Sequence, residues 1–145
     1  MYKVIVVGTD GTDRAGVAVR EALSLAKVCG AELHAVNVVH PSVSIGFADS
    51  RAQQDQVNTM RQEAEKIRSQ LIAAAGAEGV SVKVHNPGGD AAKALLGTAQ
   101  EVSADLVVVG NRGMSGTKRF VQGSVPNTVA HKCHCDVLIV DTDTA

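Results

Sequence analysis

The chain has 145 residues, enough for one domain with a single good core, and its 45% hydrophobic and 20% charged residues are the balance of an ordinary globular fold. A formal net charge of −1 supplies no basic field to draw nucleic acid, and two Phe, one Tyr and no Trp leave little aromatic surface for base stacking. No apolar run approaches the roughly 20 residues of a membrane-spanning helix, the N-terminus enters a strand without a basic and apolar leader, and three cysteines do not suggest a disulfide framework, so a cytoplasmic location is expected.

In chain order, residues 2–7 read as a strand whose end, Val4 to Val7, is apolar throughout, as a central parallel strand should be. Gly8-Thr9-Asp10-Gly11-Thr12 turns the chain, and Thr12 or Asp13 is suited to cap the helix expected over residues 13–28. Ala15, Val19, Ala22, Leu23 and Ala26 form its apolar stripe, and Gly30 stops it. A second strand is expected over residues 33–39, interrupted by Asn37 and ended by His40-Pro41. Residues 42–48 have no clear period and read as a surface connection or a lid. The longest helix is expected over residues 49–75, with Val57, Met60, Ala64, Ile67, Leu71 and Ala74 on one side and Gly76 and Gly79 at its exit. Val80, Val82 and Val84 alternate with Ser81 and Lys83, the pattern of a strand near a sheet edge. A helix over residues 90–102 turns Ala92, Leu95, Leu96 and Ala99 inward. Residues 105–110 read as a fourth strand and residues 137–140 as a fifth, with a short helix beginning at Ser124 between them and Pro126 tolerated in its first turn.

This alternation predicts an α/β fold with a parallel, doubly wound sheet, in one domain over residues 1–145 with no internal repeat. Functional loops of such a sheet gather at the carboxyl ends of the strands.

The fourth strand runs into G-N-R-G-M-S-G-T-K-R-F-V-Q-G-S-V, residues 110–125. Glycines after a buried strand let the backbone approach a ligand, and the start of the following helix adds partial positive charge, so phosphate suits the geometry. The chain has neither the Walker pattern G-x-x-x-x-G-K with Ser or Thr nor a G-x-G-x-x-G after its first strand. Gly110 and Gly113, then nine residues, then Gly123-Ser124, is a spacing that resembles the ATP-binding motif of the universal stress protein family. The resemblance extends to K-V-I-V-V-G-T-D-G-T at residues 3–12, D-L-V-V-V-G-N-R-G at 105–113 and C-D-V-L-I-V at 135–140, and is weakest over residues 41–56.

The resemblance implies five parallel strands in the order 3-2-1-4-5 with about four helices, the adenine nucleotide alpha hydrolase-like arrangement. Strands one and four would then be adjacent, and Gly8, Thr9 and Asp10 would face Gly110, Asn111 and Arg112 with Gly113, Met114, Ser115 and Gly116. It also implies ATP, with Mg2+, as the ligand. Gly113 and Gly116 would wrap phosphates, with simple turn chemistry as the competing account. Ser124 would offer a hydroxyl and an amide while beginning the helix, Val125 a second amide, and Arg112 a countercharge. Lys118 and Arg119 would do the same or belong to a solvated basic surface. Asp10 would hold ribose hydroxyls or the phosphate-bound metal, or only polarise its turn. Val38 would contact adenine through its backbone, or pack in the core.

His131-Lys132-Cys133-His134-Cys135 crowds metal-ligating side chains without paired C-x-x-C spacing, so a helix end entering a strand is the simpler account and no metal site is assigned. No Ser-His-Asp or Cys-His set emerges and no catalytic residue is assigned. The expectation is a stress-responsive or regulatory nucleotide-binding protein and not an enzyme. The alternatives are an AMP- or cyclic AMP-binding member of the same fold, a slow ATPase or phosphoryl-transfer enzyme, and a protein-interaction module with a vestigial pocket. Members of the family commonly dimerise through the last strand, and Val137, Leu138, Ile139 and Val140 offer an apolar edge for a homodimer.

Overall fold

A computed structural model describes residues 1–38, 51–112 and 124–143. The elements are β1 (Val4–Thr9), α1 (Asp13–Cys29), β2 (Glu32–Asn37), α2 (Arg51–Ala77), β3 (Val82–His85), α3 (Ala91–Glu101), β4 (Leu106–Gly110), α4 (Val125–Lys132) and β5 (Asp136–Val140). All five strands are parallel, in the order β3-β2-β1-β4-β5. The doubly wound sheet and its implied strand order are both present.

Strand alternation divides the core in two. Ile5, Val7, Leu33, Ala35, Leu106 and Val108 face α1 and α2, where Ala18, Val19, Ala22, Leu23, Leu71 and Ala75 close the layer. Val6, Val36, Val107 and Val109 face α3 and α4 and pack with Ala92, Leu95, Ala99 and Val129. β1 and β4 are apolar on both faces because helices cover both, whereas β3 and β5, at the edges, are only partly buried.

The local signals are where propensity puts them. The Thr12 hydroxyl accepts from Ala15 N at 3.2 Å and caps α1, while Gly30 closes that helix in the left-handed region at φ 66°. Asp90 caps α3 by accepting from Lys93 N at 3.0 Å. Two features of α2 differ from the pattern expected of it. The helix continues through Gly76 to Ala77, with Gly79 beyond it at φ +70°. Its buried position is Ala75, four residues after Leu71, while Ala74 is exposed, because a step of four keeps that turn of the stripe over the sheet. In α1, Ala18 rather than Ala15 is fully buried. The connection over residues 42–48 lies outside the described residues.

Candidate functional site

Parallel strands put all their carboxyl ends on one edge of the sheet. β1 pairs with β2 so that Thr9 stands opposite Asn37, and with β4 so that Val7 stands opposite Val108. Gly8, Thr9 and Asp10, Val38 just past β2, and Gly110, Asn111 and Arg112 therefore share that edge, on three adjacent strands. β5 is parallel to β4, so α4 must return from the carboxyl edge to the amino edge before β5 begins. Its start, Ser124 and Val125, is thereby at the same edge as the β1 and β4 turns. Gly113, Met114, Ser115, Gly116, Lys118, Arg119 and Gly123 lie outside the described residues.

The β1 turn is tightly self-bonded. Asp10 Oδ1 accepts from Thr12 N at 3.0 Å and from Thr12 Oγ1 at 2.6 Å, and Thr9 Oγ1 accepts from Gly11 N at 3.1 Å. Thr9 is buried and Asp10 half-buried. Gly11 has φ +80°, and a Cβ there would stand 2.5 Å from Ile67 Cδ1, so α2 presses directly on this turn. Val38 packs against the core beneath α3 and α4. Asn86 Nδ2 donates to the Asn37 carbonyl at 3.3 Å, binding the exit of β3 to that of β2.

The β4 turn is held by the segment beyond β5, a contact that sequence spacing does not reveal. Asn111 N donates to the Val140 carbonyl at 2.9 Å. The Asn111 side chain donates through Nδ2 to Asp141 Oδ1 at 3.2 Å, and its Oδ1 accepts from Thr142 N at 3.2 Å and Thr142 Oγ1 at 2.9 Å. Arg112 Nε donates to Asp143 Oδ1 at 2.9 Å, forming a half-buried ion pair. A Cβ on Gly110 would come within 2.9 Å of Thr142 Cγ2. Gly110 thus admits the chain beyond β5, and Asn111 and Arg112 use their side chains to fasten it. Thr142, buried to 2% exposure, and Asp143 carried no motif signal because their partners are some 30 positions away.

Ser124 occupies the N-cap position of α4 with extended backbone, but its hydroxyl makes no capping bond. Pro126 near the start of the helix lacks an N–H, so the donors left at this end are main-chain amides without intrahelical partners. Half-buried Ser124 and Val125 therefore present a hydroxyl and amides at the positive end of a helix. Among the described residues, no group of three His, Cys, Asp or Glu side chains is gathered as a metal cage. No helix among them is long and apolar enough to cross a membrane.

Comparison with known proteins agrees with this architecture. The model of the universal stress protein family matches residues 1–141. Universal stress protein MJ0531 of Methanocaldococcus jannaschii is 31% identical over 140 residues, covering 97% of this chain and 82% of that protein. Universal stress protein Rv1636 of Mycobacterium tuberculosis is 32% identical over 151 residues, covering 97% of each. A solved universal stress protein in complex with cAMP superposes with a TM-score of 0.77 at 34% identity, covering 98% of this chain and 99% of that one. With the family model matching residues 1–141 and these relatives aligned over at least 97% of this chain, the chain belongs to the universal stress protein family.

Proposed function

We propose that this protein binds an adenine nucleotide, ATP with Mg2+, at the carboxyl edge of β1 and β4, and serves as a stress-responsive or regulatory binding protein in the cytoplasm. The observation that carries the reading is the meeting of the self-bonded Thr9–Thr12 turn, the Gly110–Arg112 turn and the start of α4 on one sheet edge. Adenine would lie by the Val38 backbone, and the phosphates would run towards the amides of Ser124 and Val125 and the glycine loop of Gly113 and Gly116. Asp10 stabilises its turn through Oδ1, so Oδ2 is the oxygen that would meet ribose hydroxyls or the cation. Among the described residues, the Asp10 carboxylate is bonded within its own turn through Oδ1, which supports a binding role over turnover.

A second reading, cyclic AMP, is favoured by the 34% identical relative solved with that ligand. Titration calorimetry with ATP, AMP and cyclic AMP separates the two. The tightest binding is expected for ATP and should strengthen with Mg2+; preference for a monophosphate would refute ATP. Mass spectrometry of small molecules released from freshly purified protein is an independent check. Ser124→Ala should weaken nucleotide binding by about 1–2 kcal/mol, the worth of one bond to a charged acceptor, while leaving the denaturation midpoint near its original value because the hydroxyl caps nothing. Steady phosphate release abolished by Asp10→Ala would make the protein an enzyme, and no binding to any nucleotide would leave an interaction module.

A further inference from the structure

We propose that Cys133 and Cys135 form a redox-active dithiol that a hydroperoxide converts to an intramolecular disulfide. The two sulfurs stand 3.4 Å apart, at the junction where α4 ends and β5 begins. Residues two apart share a side of an extended chain, and the bends at His134 and Cys135 draw their side chains together. Both cysteines pack against the core beneath α3 and α4, which limits their motion, yet both are only half-buried and reachable from solvent. The two sulfurs must close by about 1.4 Å to reach bonding distance.

The environment makes the pair unequal. The Cys135 thiol donates to the Asp136 carbonyl at 3.6 Å. Burial and its contact with Cys133 push its pKa up to about 12, so it holds its proton. The nucleophilic part therefore falls to Cys133, the other sulfur of the pair. In the first step the Cys133 thiolate attacks one peroxide oxygen. The O–O bond breaks, hydroxide leaves and takes a proton as water, and Cys133 becomes a sulfenic acid. In the second step Cys135 sulfur attacks Cys133 sulfur as it gives up its proton. The S–O bond breaks and a second water leaves. Two thiols and one hydrogen peroxide yield one disulfide and two waters, the sulfurs together losing two electrons. Cys29, against the other core layer at the end of α1, has no sulfur beside it among the described residues and serves as an internal reference.

The test is treatment of the whole protein with hydrogen peroxide in modest molar excess, followed by thiol alkylation and peptide mapping. The expected product has lost two hydrogens within the peptide holding both residues, and only one of its three thiols, Cys29, remains alkylatable; dithiothreitol restores all three. In Cys135→Ser, dimedone should trap a sulfenic acid at Cys133, and in Cys133→Ser, Cys135 should react more slowly than that, because burial still disfavours its thiolate. The wild-type map decides the matter even if a variant does not fold. Persistence of both thiols, disulfides only between chains, or oxidation of Cys29 first would overturn the proposal. Equal trapping at either cysteine in the two variants would overturn the assignment of roles.

Discussion

His34 is in mid-β2 at 4% exposure, on the sheet face opposite Leu33 and Ala35. Glu32 Oε1 lies 2.7 Å from its Nε2, and His85 Nε2 lies 2.9 Å from its Nδ1, with the two rings stacked at 5.1 Å. A carboxylate only accepts, so Nε2 of His34 carries the proton and Nδ1 of the neutral ring accepts from His85. Burial lowers the His34 pKa, with His85 and Lys83 adding to that and Glu32 opposing it. A lowered histidine pKa means that the unfolded chain takes up the proton first as pH falls. The contribution is complete above the unfolded value of about 6.5 and is lost as pH falls through it towards the folded pKa. The urea midpoint should therefore drop between pH 7.5 and 5.5, and His34→Gln should flatten that slope. At the amino edge of the sheet, Asp105 Oδ2 accepts from Lys3 N at 2.7 Å and Val4 N at 2.8 Å, and those two bonds lower its pKa. This stabilisation is present above the ordinary carboxylate value of 3.8 and is lost as pH falls through the lower folded value. Asp105→Ala should lower the midpoint at neutral pH and shrink the difference between pH 7 and pH 3, both read by denaturant titration.

Among the elements, α1 and α2 together decide the shape of the β1 turn. Thr12 caps α1 while also donating to Asp10, so one residue serves the helix and the candidate site. Thr12→Ala should cost about 1 kcal/mol from the lost cap and also loosen Asp10. Gly11→Ala meets both a positive φ and Ile67 of α2, and should cost about 1–3 kcal/mol in chemical denaturation. If the nucleotide site is as proposed, either change should also weaken ATP binding, whereas Asp90→Ala, which uncaps α3, should cost similar stability and leave binding unaltered.

For the molecule as a whole, the sheet has two edges, and they are unlike. β3 carries charge and histidine, while β5 presents Ile139 at 45% exposure with half-buried Val137, Leu138 and Val140 around it. An apolar edge strand invites a second sheet, and we propose that the homodimer implied by the family resemblance covers it through β5. Sedimentation should show a dimer for the wild type and a shift to monomer for Ile139→Asp with an unchanged far-ultraviolet spectrum; a monomeric wild type would refute that interface.

Much of this was legible in the chain itself, because the signals are local. Val4 to Val7 and Leu106 to Val109 are apolar throughout since buried parallel strands need both faces dry, and Thr12, Gly30 and Asp90 mark helix ends through bonds and backbone angles within a few residues. The spacing of Gly110, Gly113, Gly123 and Ser124 carried a family resemblance, and the crevice followed from the strand order which that resemblance implies; that order is present and puts Gly110 and Ser124 on one edge. Only the tertiary structure decided what Gly110, Asn111 and Arg112 touch, because Thr142 and Asp143 reach them across β5 and no periodicity records a contact between strands. The same holds for the pairing of His34 with His85. Local pattern specifies which faces must be buried, while the register between distant segments, set by the packing of the whole sheet, specifies which polar groups meet.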